Sequence, residues 1–210
     1  GTNEAQMSFQ ASDAFQIYDS GALRGNKVTT RLFRDPSAWY HIVVVLNTTD
    51  STAEDRVQIY VNGTRETLFS TNSNPSQSTT WGWNAAQEHS IGSYNYSTDQ
   101  TFFDGYLAEV HFIDGQAYDA SYFGETKDGV WIPKAYSGSY GTNGWYLPFD
   151  DSSAIGDDES GNTNDWTANN LVASDVVPDS PTNKFCTLNS TAYGGGFTLS
   201  EGNLTMATTT

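Results

Sequence analysis

The sequence is poor in cysteine, in positive charge and in long hydrophobic runs, and each shortage excludes a class of protein. One cysteine, Cys186, is present in 210 residues, so no internal disulfide can form. Nine Lys and Arg residues accompany 25 Asp and Glu residues, and the resulting net charge of −16 repels nucleic-acid phosphates and anionic lipids. No apolar run reaches roughly 18 residues, the length that a membrane span requires. We therefore expect neither a nucleic-acid partner nor membrane insertion.

Glycine and aromatic residues are abundant. The chain has 19 Gly, 14% aromatic residues and only 16% charged residues, which is typical of a turn-rich β protein. No window places Leu, Ala, Glu and Lys in the register of a long helix. A chain of this length can bury roughly 70% of its unfolded surface, enough for one large domain. The composition therefore favours an all-β fold.

The stretch from Tyr40 to Phe69 predicts a β-meander. Tyr40–Leu46 is apolar on both faces and fits a central strand, while Val57–Val61 alternates with the period of a half-buried strand. Asn62-Gly63 follows directly and is a strong hairpin signal, because a type I′ turn needs positive φ at both central residues. Residues 64–69 supply the returning strand.

Further short strands are predicted on both sides of this meander. They cover residues 14–18, 28–33, 89–93, 105–113 and 145–149. A short helical turn is expected at residues 119–123, because Asp119 can cap it. Short strands at this spacing predict an antiparallel two-sheet sandwich rather than a parallel sheet with helices.

Four motifs resemble one family when they are taken together. The stretches WYHIVVVLNTT, DRVQIYVNG, HSIGSYN and FFDGYLAEVHFIDGQA follow one another over residues 39–113. In this order they resemble the laminin-G-like domain, a concanavalin A-type fold. The resemblance implies an antiparallel two-sheet jelly-roll sandwich. FDGYLAEVHFIDGQA, GVWIPKAYSGSYGTNGWYLPF and SPTNKFCTLN are in addition similar to large structural proteins of marine tailed bacteriophages, over residues 36–204.

The same resemblance implies three parts. Residues 1–134 would be the jelly roll, with its first strands absent because residues 1–35 lack the family's opening pattern. Residues 135–170 would add a strand and an acidic loop that close the sandwich. Their D-x-S-G-N-x-N-x-W pattern resembles the start of a laminin-G-like domain, with Trp166 as an aromatic anchor. Residues 171–210 would be an extended segment leading to a further domain. The start GTNEAQMSFQ lacks signal-peptide features, and we expect a fragment of a longer polypeptide.

The sequence offers no constellation for catalysis. Glucanases of the resembling fold carry E-x-D-x-x-E on one strand, and the chain has no such triplet; Glu109 is interpreted as a surface carboxylate. There is no G-x-S-x-G elbow, and Cys186 has no neighbouring His. The histidines, His41, His89 and His111, lack zinc-binding spacing. We expect no enzymatic activity.

The acidic loop FDDSSAIGDDESGN is a candidate calcium site. Calcium prefers carboxylates and backbone carbonyls, and the loop supplies five acidic side chains. Laminin-G-like domains commonly bind calcium at a loop rim, so the resemblance supports the same interpretation. The predicted ligands are Asp150, Asp151, Asp157 and Asp158. A solvated acidic loop is the alternative, and calcium is the one cofactor that the sequence suggests.

Aromatic residues between the predicted strands indicate a sugar-binding surface. Flat aromatic faces stack on pyranose rings while amides bond hydroxyls. The candidate residues are Trp81, Trp83, Asn84, Tyr94, Asn95 and Tyr96. The alternative is that these aromatic residues pack onto the sandwich or lie in a contact between subunits.

The resemblance implies a non-catalytic structural module of a virion-associated protein, such as a tail fibre, an appendage or a capsid decoration. Its place would be the virion surface, which is extracellular, and its partners would be other virion chains in an oligomer. The alternative is a carbohydrate-binding adhesin that recognises host-surface polysaccharide, and a glycoside hydrolase ranks third. Five N-x-S/T sites matter only in a eukaryotic secretory route: Asn47, Asn62, Asn95, Asn189 and Asn203.

Overall fold

The computed structural model describes residues 4–21, 24–96, 99–181, 197–200 and 205–208, and these residues form an all-β protein without an α-helix. The strands are β1 Ala5–Phe9, β2 Ala14–Asp19, β3 Asn26–Leu32, β4 Ile42–Leu46, β5 Val57–Val61, β6 Thr64–Arg65, β7 Phe69–Ser73, β8 Ser93–Tyr96, β9 Asp99–Phe102, β10 Val110–Phe112, β11 Gly124–Lys127, β12 Val130–Pro133, β13 Trp145–Leu147, β14 Phe197–Ser200 and β15 Thr205–Thr208. Short 3-10 turns cover Ala53–Asp55, Gly82–Asn84, Ala120–Tyr122 and Ala173–Asp175. In the described ranges no helix has the length and apolarity needed to cross a membrane.

Strand pairing is antiparallel wherever its register is described. A four-stranded sheet has the order β1-β2-β3-β7, and a three-stranded sheet has the order β4-β5-β6. The remaining strands form the pairs β8-β9, β10-β13, β11-β12 and β14-β15. The predicted all-β, antiparallel fold class is therefore confirmed.

The chain divides into two compact units. The first unit contains residues 1–36, 46–58 and 66–107, and it holds the four-stranded sheet. The second unit contains residues 37–45, 59–65 and 108–210, and it holds the pairs β10-β13 and β11-β12. The predicted boundaries at residues 134 and 170 stay a prediction.

The first unit has its core on strand β2, between β1 and β3. Phe15 and Ile17 are buried on this strand, and the Phe15 ring meets the Phe9 and Phe33 rings edge to face at 5.4 and 6.4 Å. Burial of the Phe15 and Ile17 side chains stabilises the packing of this sheet. Strand β2 ends at Asp19, whose buried carboxylate accepts a hydrogen bond from the Gly82 N–H at 2.8 Å. This bond fixes the 3-10 turn at Gly82–Asn84 against the sheet.

Two tight hairpins shape the second unit. Asn62 and Gly63 have φ values of +49° and +76°, so the hairpin predicted at Asn62-Gly63 is confirmed. Asp128 and Gly129, with φ values of +51° and +80°, make the same kind of turn between β11 and β12. The Trp131 ring packs against Gly63, where a Cβ atom would lie 2.4 Å from the ring.

Several predicted strands differ from the structure in length or position. The predicted central strand at residues 40–46 is an edge strand, since β4 is the first strand of its three-stranded sheet. The returning strand predicted for residues 64–69 ends at Arg65, and Phe69 begins β7 in another sheet. The strand predicted at residues 89–93 begins only at Ser93. The predictions at residues 14–18 and 28–33 are confirmed within two residues as β2 and β3.

Left-handed residues shorten two predicted strands of the second unit. Glu109 has a φ of +56°, so β10 covers only Val110–Phe112 instead of residues 105–113. Phe149 has a φ of +61°, and β13 accordingly ends at Leu147. Such φ values are incompatible with an extended strand. The helical turn predicted at residues 119–123 is confirmed as the 3-10 turn Ala120–Tyr122.

Candidate functional site

Trp81 is buried and Trp83 is half-buried, so of the two candidate sugar contacts neither is fully exposed. The Trp81 side chain is only 4% exposed, and a Cβ atom at Gly25 would lie 2.7 Å from its ring. Its ring is covered by the protein, as in the packing alternative that the sequence leaves open. Trp83 is half-buried, and among the described residues its indole N–H has no hydrogen-bond partner.

The other predicted sugar-binding residues differ in how far their side chains are exposed to solvent. Asn84 is exposed, and Tyr94 is 38% exposed while its hydroxyl donates to Glu4 Oε2 at 3.0 Å. Asn95 and Tyr96 belong to β8, but their side chains lie outside the described part of the structure. A sugar-binding role for this group stays a prediction.

Asp158, one of the predicted calcium ligands, is buried, and its carboxylate is hydrogen-bonded to several backbone N–H groups. Its carboxylate accepts hydrogen bonds from the N–H groups of Tyr146, Ser160 and Asn164 at 2.8 to 2.9 Å, and from the Ser160 hydroxyl. Burial alone would raise the pKa of Asp158, but these bonds outweigh burial and hold it below its usual range. The carboxylate is thus fully engaged inside the protein.

The remaining aspartates of the acidic loop are exposed. The Asp151 carboxylate accepts hydrogen bonds from the hydroxyl and N–H of Ser153, which lower its pKa. Asp150 and Asp157 project from the same loop. Within the described ranges, no three or more His, Cys, Asp and Glu side chains are grouped to hold a metal ion. Calcium binding by this loop stays a prediction.

The Asp, Ser and Asn residues named in the D-x-S-G-N-x-N-x-W pattern all make side-chain hydrogen bonds. The Asn162 amide donates to the carbonyls of Gly141 and Gly144, and the Asn164 amide donates to those of Thr142 and Gly144. Trp166 meets Trp145 edge to face at 4.9 Å, in keeping with its predicted role as an anchor. The segment is thereby fixed against the start of β13.

A pocket lined by tyrosines lies in the second unit. Its volume is about 450 Å³, and we call it the tyrosine pocket; its lining is Tyr118, Ser121, Tyr122, Lys134, Ala135, Tyr136, Ser137 and Gly138. The Tyr118 and Tyr122 rings stack with their centroids 4.1 Å apart, and Tyr122 is 47% exposed. One exposed aromatic ring, that of Tyr122, therefore faces solvent beside hydroxyl and amine groups.

Local hydrogen bonds hold the two walls of the tyrosine pocket. Asp119 caps the 3-10 turn by accepting from the Ser121 N–H at 2.9 Å, which sets the position of Tyr122. After β12 the chain continues along the opposite wall, where the Lys134 N–H donates to the Phe123 carbonyl at 2.9 Å. The Lys134 amine in turn donates to the Ser121 carbonyl. The walls are thus tied to each other by backbone contacts.

An aromatic cluster supports the tyrosine pocket from behind. The ring centroids of Tyr136 and Tyr140 lie 5.1 Å apart. The Tyr140 hydroxyl shares a hydrogen bond with His111 Nδ1, and the two atoms are 2.9 Å apart. His111 stacks on Tyr146 at 4.3 Å with nearly parallel planes. Burial, and after it the charge of His41, lowers the pKa of His111 to about 4. The His111 ring is therefore neutral at pH 7 and acts as an aromatic packing group.

Glu109 marks the exposed end of this cluster. Its carboxylate accepts a hydrogen bond from the Tyr146 hydroxyl at 2.8 Å and lies 4.0 Å from His111 Nε2. Burial raises the pKa of Tyr146, and the hydrogen bond to Glu109 raises it further. The sequence interpretation of Glu109 as a surface carboxylate agrees with its exposure of 47%.

The first half of the chain matches a family model. That model describes the concanavalin A-like lectin/glucanases superfamily, and it matches residues 1–120. The chain belongs to this superfamily. The match covers β1 to β10 and ends at the 3-10 turn beside the tyrosine pocket. Comparison with curated proteins and with solved structures found no match.

The tyrosine pocket of this lectin/glucanase-superfamily chain was missed by sequence reasoning. Most of its lining lies beyond residue 120, in segments without the alternation that reveals strands. One signal was available, since the chain concentrates four of its 12 tyrosines at positions 118, 122, 136 and 140. Tyrosines spaced in this way, beside Ser and Gly, are typical of adaptable binding surfaces.

Proposed function

We propose that this chain is a non-catalytic module that binds carbohydrate in the tyrosine pocket. The observation that carries the proposal is the exposed ring of Tyr122, stacked on Tyr118 at 4.1 Å and surrounded by polar groups. Sugars present apolar C–H faces and a rim of hydroxyls, and an aromatic platform with a few polar groups fits both. Membership of a lectin/glucanase superfamily supports the same class of ligand.

The polar groups beside the platform suit sugar hydroxyls. Ser121 and Ser137 carry hydroxyls that can both donate and accept, and the Lys134 amine carries three donors. One of these donors holds the Ser121 carbonyl, which fixes the direction of the side chain. A pre-oriented polar rim reduces the entropy lost on binding.

The lining of the tyrosine pocket supports binding without hydrolysis. Glycoside hydrolysis needs two carboxylates on either side of the scissile bond. The described residues that line the pocket include neither Asp nor Glu. We therefore keep the expectation that the chain is not an enzyme as part of the proposal.

A glycan array probed with the folded chain tests the proposal. We expect binding to a defined glycan that falls about 10-fold in Tyr122→Ala, since a lost stacking contact costs roughly 1.4 kcal/mol. Tyr122→Phe keeps the platform and should retain most of the affinity. Tyr106→Ala is the matched control, because Tyr106 is 51% exposed but lies in the other unit. Binding that Tyr122→Ala leaves unchanged would contradict the proposed pocket.

Assembly into a virion is the second candidate function, and exposed apolar residues of the first unit favour it. Phe102 is 71% exposed, while Phe9 and Phe103 are about 40% exposed and stack at 6.1 Å. Exposed apolar groups of this kind mark surfaces that contact other proteins. The sequence resemblance to structural proteins of tailed bacteriophages supports other virion chains as partners and the virion surface as the location. A folded chain that binds no glycan on the array would favour this candidate.

A further inference from the structure

Lys27 is a buried lysine that plays no part in the proposed function. Its side chain is only 2% exposed, although lysine is almost never fully buried unless it is paired. The amine nitrogen lies 4.8 Å from the centre of the Phe69 ring and 3.2 Å from Glu54 Oε2. The buried lysine thus places its amine between an aromatic ring and the carboxylate of Glu54, whose own side chain is 56% exposed.

An asparagine amide lies opposite this amine in the four-stranded sheet. Lys27 on β3 is the register partner of Asn72 on β7, so the two side chains project from the same face with Cβ atoms about 5 Å apart. The Asn72 amide nitrogen donates to Glu54 Oε2 at 3.2 Å and to Oε1 at 3.3 Å. The amine of Lys27 and the amide of Asn72 therefore contact the same carboxylate oxygen.

We propose that Lys27 and Asn72 join spontaneously in an isopeptide bond, with Glu54 as the proton carrier. The Lys27 Nζ attacks the Asn72 side-chain carbonyl carbon, so the Nζ–Cγ bond forms and the Cγ–Nδ2 bond breaks. Glu54 accepts a proton from the amine and delivers it to the departing nitrogen, which leaves as ammonia. The step exchanges one amide for another and needs neither an oxidant nor a reductant.

The surroundings of each group suit this acyl transfer. Burial of Lys27 opposes the ammonium ion, whereas the Glu54 carboxylate and the Phe69 ring stabilise it, and the neutral fraction of the amine is the form that attacks. Hydrogen bonds, first of all from Asn72, lower the pKa of Glu54, so it is ionised and ready to accept a proton. Fixed cross-strand positions replace a bimolecular encounter by an intramolecular one, which raises the effective concentration of the two reacting groups.

The bond would tie β3 to β7 in a chain that cannot form an internal disulfide, because Cys186 is its single cysteine. A covalent link between residues 27 and 72 restricts the unfolded chain as a disulfide of that loop length does. We therefore expect the linked protein to resist thermal unfolding better than any variant that lacks the link.

Intact-mass spectrometry of the folded chain tests this inference. We expect a mass lower than that of the sequence by one ammonia molecule, and a branched peptide joining Lys27 to Asn72 after proteolysis. The peptide map is needed because Asn62-Gly63 can lose ammonia by ring closure to a succinimide. A folded protein with the full sequence mass after prolonged incubation would overturn the inference.

Single substitutions identify the partners. Lys27→Arg, Asn72→Ala and Glu54→Gln should each restore the full mass while circular dichroism reports the β fold. Asn74→Ala is the matched control: Asn74 also donates to Glu54, at 2.6 Å, but it lies beyond the end of β7 and is not in register with Lys27, whose partner is Asn72. Asn74→Ala should keep the mass loss. A branched peptide at Asn74, or mass loss that persists in Glu54→Gln, would contradict the assignment.

Discussion

Two buried aspartates hold loops in place by accepting several hydrogen bonds each. Asp19 accepts from the N–H groups of Gly21 and Gly82 and from Arg24 at 2.7 Å. Asp158 accepts from three backbone N–H groups and one hydroxyl. A buried carboxylate is tolerated only when its oxygens are satisfied in this way. Each aspartate therefore joins segments that are distant in sequence.

His111 should make the stability of the protein depend on pH. Its pKa is about 4 in the folded chain and about 6.5 when unfolded, so the unfolded chain binds more protons between these values. Its contribution to stability is complete above about pH 6.5 and is lost as the pH falls toward 4. Chemical denaturation should show a loss on the order of 2 kcal/mol across this range.

The variant His111→Phe isolates this effect, because phenylalanine keeps the stacking on Tyr146 but cannot take a proton. Carboxylates of the chain also titrate in this range, so the informative quantity is the difference between the two pH profiles. We expect the wild type to lose stability more steeply than His111→Phe. Parallel profiles would show that His111 does not titrate differently in the two states.

The residue types indicate which kinds of side chain could bind a ligand, but they do not indicate which of these side chains are exposed to solvent. The position of Trp81 and Trp83 between strands left sugar contact and packing both open, and in the structure the Asp19 bond to Gly82 fixes their turn against the sheet while Trp81 is buried. Tyr122 was overlooked because its turn has no periodic pattern. Exposure depends on contacts between distant segments, and a local pattern does not contain them.

At the scale of elements, the two type I′ hairpins allow a matched comparison. Gly63 and Gly129 both have positive φ, but a Cβ atom at Gly63 would meet the Trp131 ring at 2.4 Å whereas one at Gly129 meets nothing within 4 Å. Gly129→Ala should cost about 1 kcal/mol for the left-handed backbone. Gly63→Ala should cost roughly 2–4 kcal/mol, because the displaced ring adds an overpacking penalty.

Urea unfolding of both variants measures these costs. The Trp131 indole donates to His41 Nδ1 at 3.0 Å, so a displaced ring also weakens this bond. Equal losses in the two variants would mean that the Trp131 ring moves aside without cost.

Strand existence was predictable where turn chemistry and alternation agree, as in β5 and its Asn62-Gly63 turn. Strand length was less predictable. The alternation of apolar and polar residues predicts one strand over residues 105–113. In the structure Glu109 has a left-handed φ, so the strand covers only Val110–Phe112, and the residue types do not indicate this interruption. β6 likewise stops after Arg65 because the chain leaves for the four-stranded sheet. Both outcomes are decided by partners outside the local window.

At the scale of the whole molecule, the net charge of −16 should make stability depend on salt. Like charges repel most in the compact state, and salt screens them over about 8 Å at physiological ionic strength. We expect sodium chloride to add about 1 kcal/mol, which raises the Tm by about 2–4 °C for a chain of this size. A Tm that does not change between low and physiological salt would contradict this expectation.

Calcium chloride at matched ionic strength serves as the companion measurement. Screening alone predicts the same rise for both salts. A larger rise with calcium, reversed by chelator and lost in Asp150→Asn or Asp157→Asn, would support the calcium site predicted in the acidic loop. Equal rises would count against it.

Composition was sufficient for the fold class, because glycine, aromatic and β-branched residues disfavour helices along the entire chain. The division into two units was not predicted. Residues 37–45 and 59–65 belong with the C-terminal half, while residues 46–58 between them belong with the N-terminal half. Segments alternate between the units in this way because strands pair over long sequence separations, and the amino-acid composition does not reveal such pairing.

The segment from Asp158 to Trp166 has a consequence for how this protein can change during evolution. In a strand, backbone groups bond to other backbone groups, so many side chains of suitable pattern can replace one another. In this segment the Asp158 side chain accepts from the Asn164 N–H, and the side chains of Asn162 and Asn164 donate to the backbone carbonyl of Gly144. Identity, not pattern, is then required at each position. Mutational tolerance should therefore be lowest in this irregular loop and higher in the strands.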